Sequence, residues 1–63
     1  MLAVYGKHKN GKRFYGFNFT KGTFEINKIY VTVFPENQRE KLEEEVNFMN
    51  KHNKEYIFEI REV

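Results

Sequence analysis

Residues 35–52, PENQREKLEEEVNFMNKH, have the periodicity of an amphipathic helix. Three apolar residues recur at the spacing i, i+4 and i+7, namely Leu42, Val46 and Met49. This spacing places them on one narrow stripe of a helix surface. Pro35 has no N–H for a strand ladder, and its fixed φ suits the first turn of a helix. We therefore predict a helix over residues 36–52, with Asn53 as its C-cap.

The residues that precede this helix have the alternation of strands. Residues 2–9 and 12–20 are predicted to form the two arms of a hairpin. The dipeptide Asn10-Gly11 between them suits a two-residue type I′ turn, whose central residues both need a positive φ. Side chains of a strand alternate between two faces. The second arm therefore has Tyr15, Phe17 and Phe19 on one face, and Phe14, Gly16 and Asn18 on the other.

A second turn is predicted at Lys21-Gly22, after which residues 23–26 can pair back on the preceding strand. Asn27-Lys28 interrupts the apolar run before residues 29–34. The pattern leaves open whether residues 23–34 form one bent strand or two.

The chain closes with a further alternating segment, residues 55–63. The predicted order is thus β-β-β-α-β, a single α+β domain over residues 1–63. The connection through the helix is long enough for a right-handed crossover, so the strands on either side of it are expected to be parallel. The expected sheet is mixed, mainly antiparallel, and backed on one face by the single helix. Its other face would be exposed unless a second copy or a partner covers it.

The composition argues against catalysis. The 63 residues contain no Cys, which excludes disulfides and thiolate metal sites, and no Ser. The two histidines, His8 and His52, are far apart in sequence. The consecutive carboxylates of residues 43–45 fan around a helix instead of converging, so we expect them to be solvated. We therefore expect no enzymatic activity, no cofactor and no metal.

No run of about 20 apolar residues is present to span a membrane. The first residues lack the basic start and long apolar segment of a signal peptide. We therefore expect a protein of the cytoplasm, or of the host cytoplasm or virion if it is phage-encoded, that does not bind membranes.

The net charge of +2 is unevenly distributed. Residues 1–34 contain six Lys or Arg against one Glu, whereas residues 35–63 contain five against eight. This polarity favours an anionic partner, head-to-tail association between copies of the chain, or pairing with a charge-complementary protein.

The N-terminal hairpin combines positive charge with aromatic side chains. Its candidate binding surface consists of Lys7, Lys9, Lys12, Arg13, Tyr15 and Phe17. The stretch RFYGFNF, residues 13–19, resembles the RNP1 motif of RNA-recognition and cold-shock domains. The resemblance implies that Tyr15 and Phe17 stack on bases of single-stranded nucleic acid while the cations attract phosphates. The alternative interpretation is that these aromatic side chains form the core of a small sheet and the lysines its solvated rim.

A second resemblance concerns Phe17-x-Phe19-x-x-Gly22-x-Phe24-Glu25, which is similar to a β-hairpin of many very short phage-encoded proteins. It implies an accessory protein of a phage or mobile element that acts by binding. Our main hypothesis is a small interaction module that binds another protein or itself, as a homodimer or larger oligomer, through an exposed sheet face or an edge strand. The alternative hypothesis is that the basic aromatic hairpin binds single-stranded RNA or DNA.

Overall fold

The computed structural model describes all residues, 1–63, and contains one α-helix and a five-stranded sheet. The strands are β1 (Leu2–His8), β2 (Tyr15–Asn18), β3 (Thr23–Glu25), β4 (Val33–Phe34) and β5 (Tyr56–Glu62). The helix α1 (Arg39–His52) follows a 3-10 turn at Glu36–Gln38, and a second 3-10 turn at Lys28–Tyr30 separates β3 from β4. The predicted α+β class, element order and helix are confirmed. The segment left open by the sequence contains two strands.

β1 is the central strand of the sheet. It pairs with β5 along its whole length, from Leu2 opposite Glu62 to His8 opposite Tyr56. Its other edge is shared, since β4 pairs near its beginning and β2 nearer its end, while β3 pairs with β2. Every one of these pairings is antiparallel. β4 and β5 run in the same direction, as expected for a crossover through α1, but β1 lies between them and they form no parallel ladder with each other.

The connection between β1 and β2 has the predicted register but not the predicted turn. The register is the one that a two-residue turn at residues 10–11 would set, yet the pairing ends at Gly6 and Tyr15. No residue of this connection has a positive φ, so the prediction of a type I′ turn is wrong. A tight hairpin would place Lys9 directly opposite Lys12, and like charges in that arrangement are destabilising. The ladder opens before it reaches that pair.

The face of the sheet under α1, here called the inner face, contains the core. Five buried residues form it: Leu2, Val4, Leu42, Val46 and Phe58. Phe17 and Phe19 pack against this core, and their ring centroids are 5.0 Å apart in an edge-to-face arrangement. Phe17 also meets the ring of Phe58 edge to face, at 5.9 Å between centroids. The predicted alternation of β2 is therefore confirmed, and these aromatic side chains contribute to the core.

The opposite face, here called the outer face, is covered over β2 by the chain itself. Gly16 and Asn18 are buried there because residues 26–32 fold across them. A Cβ atom at Gly16 would overlap the side chain of Val31, so this close approach requires glycine. The expectation of an exposed second face is therefore wrong for this half of the sheet.

Stacked side chains cover part of the remaining outer face. The guanidinium of Arg61 lies 4.8 Å from the ring centroid of Tyr5 and 4.7 Å from that of Phe14. Phe14 is the last residue of the β1–β2 connection, and its ring lies against Arg61 of β5. Ala3, on the same face of β1, has no exposed surface.

The free edge of β5 is partly occupied by the end of α1. The Phe58 N–H donates to Oδ1 of Asn50 at 2.8 Å, and the Phe58 C=O accepts from Nδ2 of the same side chain at 2.9 Å. The Tyr56 N–H donates to Oδ1 of Asn53 at 3.1 Å. Side-chain amides thus replace a neighbouring strand at these positions, which protects the edge from pairing with another chain.

Arg39 joins the start of α1 to the end of β5. Its guanidinium lies 2.6 Å from a carboxylate oxygen of Glu36 and 2.9 Å from one of Glu62. The hydrogen bond to Glu36, supported by the charges of nearby carboxylates, raises the pKa of Arg39 above its usual value. All three side chains are exposed, so this network contributes little to stability.

Candidate functional site

The most exposed large apolar side chains lie together in residues 26–30, INKIY, here called the apolar loop. Ile26 is 91% exposed and Ile29 is 75% exposed, and these are the two highest values among the large hydrophobic residues. Tyr30 is 51% exposed. Single exposed apolar residues are common, but a cluster of them within five residues is typical of an interaction site.

The backbone of the apolar loop is fixed by hydrogen bonds, although its side chains face solvent. Oδ1 of Asn27 accepts from the Ile29 N–H at 3.1 Å, and the Asn27 C=O accepts from the Tyr30 N–H at 3.1 Å. Nδ2 of the buried Asn18 donates to the Tyr30 C=O at 2.7 Å. Because the backbone of the loop is already ordered, binding of a partner costs less backbone conformational entropy than it would for a flexible loop.

Positive charge accompanies the apolar loop. Lys28 lies within it and is exposed, and the Lys21 Nζ lies 5.6 Å from the ring centroid of Tyr30. The carboxylate that precedes the loop, Glu25, accepts a hydrogen bond from the Thr23 hydroxyl at 2.8 Å. The apolar loop is therefore accompanied by two lysines, Lys21 and Lys28, and by one carboxylate, Glu25.

Sequence reasoning missed the apolar loop because it assigned Ile26 and Ile29 to strands. In the structure both lie outside the strands, and their side chains are exposed. A signal was present in Asn27, whose side chain caps the 3-10 turn that removes the following residues from the sheet.

The second candidate surface is the segment of residues 7–14, here called the basic tip. The Gly11 N–H donates to the His8 C=O at 2.8 Å, and the Nζ of Lys7 donates to the Gly11 C=O at 3.2 Å. Lys7 also lies 5.6 Å from the ring centroid of Phe14. Lys7 thus stabilises the tip itself, in addition to contributing charge.

The predicted binding residues divide into two groups in the structure. Four of them line one pocket of about 400 Å³, namely Lys7, Lys12, Arg13 and Tyr15. Phe24 and Tyr56 complete its aromatic wall, and no carboxylate lines it. Lys9 is exposed outside the pocket, and Phe17 packs against the core instead. The cations can attract an anion, and the open aromatic wall beside them can stack on a planar ring.

No three His or Glu side chains converge as the ligands of a metal ion would. None of the helical segments has the length and apolar character that crossing a membrane requires. No protein-family model, no curated protein and no solved structure matches this chain.

Proposed function

We propose that this protein is a small non-catalytic interaction module that binds a protein partner through the apolar loop. The observation that carries the proposal is the exposure of Ile26 and Ile29 on a backbone held by Asn18 and Asn27. Burial of apolar surface contributes roughly 25 cal/mol per Å² to association, so two exposed isoleucines are natural anchors. Fixed apolar anchors surrounded by polar groups are typical of the centre of a protein–protein interface.

The other docking surfaces suggested by the sequence support the proposal less well. The outer face is covered at Gly16 and Asn18 by residues 26–32. The edge of β5 is occupied at Phe58 by Asn50. The two large apolar side chains with the highest exposure, Ile26 and Ile29, lie instead in the loop that covers the sheet.

A phage or mobile-element origin is also part of this proposal. Its support is the similarity of residues 17–25 to a hairpin of short phage-encoded proteins, and this segment contains the end of β2 and all of β3. An accessory protein of this kind would act within a virion or on a host factor.

The proposal is tested by comparing wild type with Ile29→Lys as immobilised bait. Proteins captured only by the wild type are identified, produced in pure form and titrated against both baits by calorimetry. Loss of an anchor at an interface centre commonly costs about 2 kcal/mol or more, so we expect the affinity to fall by at least about thirtyfold. The matched control is Val63→Lys, which introduces the same charge at an apolar residue that is 58% exposed at the chain terminus. Equal binding by wild type and Ile29→Lys would exclude the apolar loop as the docking surface.

Single-stranded nucleic-acid binding at the basic tip is the second candidate function. The observation that favours it is the pocket in which Lys12 and Arg13 accompany Tyr15 without any carboxylate. Fluorescence anisotropy with a labelled single-stranded oligonucleotide tests it, because released counterions make such binding fall steeply with salt. Tyr15→Ala should weaken binding by about 1–3 kcal/mol, whereas Lys54→Gln, outside the pocket, should have little effect. Absence of binding at low salt would exclude this function.

A further inference from the structure

A second apolar feature lies between the C-terminal half of α1 and the inner face of the sheet. It is a groove of about 490 Å³, with Phe17, Phe24 and Phe58 among its lining residues. Phe48 of α1 lines it while remaining 59% exposed, and its ring centroid lies 4.3 Å from that of His52. The volume falls within the range of about 300–1,000 Å³ that is common for binding pockets. The groove therefore has the size and the lining to receive apolar side chains.

The groove and the apolar loop lie on opposite faces of the sheet. The groove is lined by side chains of the inner face, such as Phe17, whereas the loop runs across the outer face at Gly16. The loop of one molecule therefore does not occupy its own groove. A surface that docks on a different surface of the same protein makes a heterologous contact, which forms rings or open chains of subunits.

The charges of the two features are complementary. The apolar loop contains Lys28, and Lys21 packs on its Tyr30. The groove is lined by one carboxylate, Glu45, and by no lysine or arginine. This local difference in charge agrees with the charge separation of the whole chain, in which residues 1–34 carry six cations against one carboxylate.

We propose that the partner of the apolar loop is a second copy of this chain, whose groove beneath Phe48 receives Ile29 and Ile26 in a head-to-tail contact. The inference rests on the proposed function, since it names the occupant of the same loop. Opposite charges on the loop and the groove orient the two copies, and the apolar side chains supply the contact. In a head-to-tail dimer one copy retains a free loop and the other a free groove, so further copies can add and the assembly grows with concentration.

The test uses two variants that each block one half of the contact. Ile26→Lys combined with Ile29→Lys blocks the loop, and Phe48→Lys blocks the groove by placing a cation where Lys28 would dock. All three replaced side chains are exposed, so the fold is expected to survive, and circular dichroism checks this. Sedimentation velocity should show a mass that rises with concentration for the wild type and for the control Val63→Lys. Each blocked variant alone should sediment as a monomer.

The decisive sample is an equimolar mixture of the two blocked variants. The loop variant retains its groove and the groove variant retains its loop, so the mixture should form a heterodimer and nothing larger. A mixture that stays monomeric, or a wild type that is monomeric at every concentration, would overturn the inference. A monomeric wild type that still loses a different protein partner through Ile29→Lys would leave the proposed function intact. If Ile29→Lys changes neither self-association nor partner binding, both proposals fail.

Discussion

The two faces of the sheet are covered by different kinds of contact. The inner face is covered by α1, whose Leu42 and Val46 are buried against Leu2 and Val4. The outer face is covered over β2 by an irregular segment, residues 26–32, which a buried asparagine and a close glycine contact hold in place. Apolar packing therefore secures one side, and hydrogen bonds with a tight backbone approach secure the other.

This difference explains why Ile26 and Ile29 are exposed. An amphipathic helix directs its apolar stripe inwards, so α1 leaves few large apolar side chains in solvent. The irregular segment is held largely through its backbone, as in the bond from Asn18 to the Tyr30 C=O, so Ile26 and Ile29 need not be buried. Residues 26–32 can therefore serve both as part of the fold and as a binding surface.

The largest effect on stability is expected from the inner face. Phe58→Ala removes a side chain that is 6% exposed and contacts the rings of Phe17 and Phe24. We expect a loss of about 3–5 kcal/mol in the free energy of unfolding, because the cavity cannot close fully. Urea denaturation followed by circular dichroism measures it. Phe48→Ala is the matched control, since Phe48 is 59% exposed and its loss should cost far less. Equal losses would contradict the assignment of the core.

A smaller but specific loss is expected at the close contact of the outer face. Gly16→Ala places a methyl group against Val31, and overpacking of this kind costs about 1–3 kcal/mol. Val31→Ala makes room for that methyl group, so the double variant should recover part of the loss. A double-mutant cycle by urea denaturation measures this coupling. Losses that simply add would show that residues 26–32 do not press on β2.

Much of the inner face could be predicted from the sequence, because its contacts follow periodic patterns. The spacing of Leu42 and Val46 gave α1 its buried stripe, and the alternation of β2 placed Phe17 and Phe19 on the inner face. Such patterns report which side of an element is apolar, which is sufficient when one element covers another. The register of β1 and β2 also followed from the position of Asn10-Gly11, although the turn itself was mispredicted.

The outer face and the apolar loop could not be predicted in the same way. Asn18 reads as a polar, solvent-facing residue, and only the structure shows that its side chain reaches a carbonyl twelve residues further along the chain. Ile26 and Ile29 have the β-branched apolar side chains that are typical of strands, and this pattern does not show whether a side chain is exposed. For the basic tip, the sequence identified the charged residues but not which of them share a pocket with Tyr15.

Asn18→Ala should loosen the attachment of residues 26–32 to the outer face without disturbing the core. The side chain donates to the Tyr30 C=O and accepts from the Lys21 N–H at 2.9 Å, so both contacts are lost. We expect about 1–2 kcal/mol of destabilisation, since each net hydrogen bond contributes about 1 kcal/mol. Amide hydrogen exchange should accelerate at Val31 more than at Val4. Asn37→Ala, an exposed position, is the control and should change neither quantity by much.

The smallest effect is expected where Arg61 stacks on Tyr5 and Phe14 at the other half of the outer face. Arg61→Lys keeps the positive charge but removes the planar guanidinium, so it separates stacking from attraction to Glu59. Cation–π contacts at exposed sites contribute about 0.5–1 kcal/mol, and we expect a loss in that range by urea denaturation. In a Phe14→Leu background the same substitution should cost less, because one of its two rings is gone. An unchanged cost in that background would mean that the contact between Phe14 and Arg61 contributes no stability. Residues 26–32 would then be the only stabilising cover of the outer face.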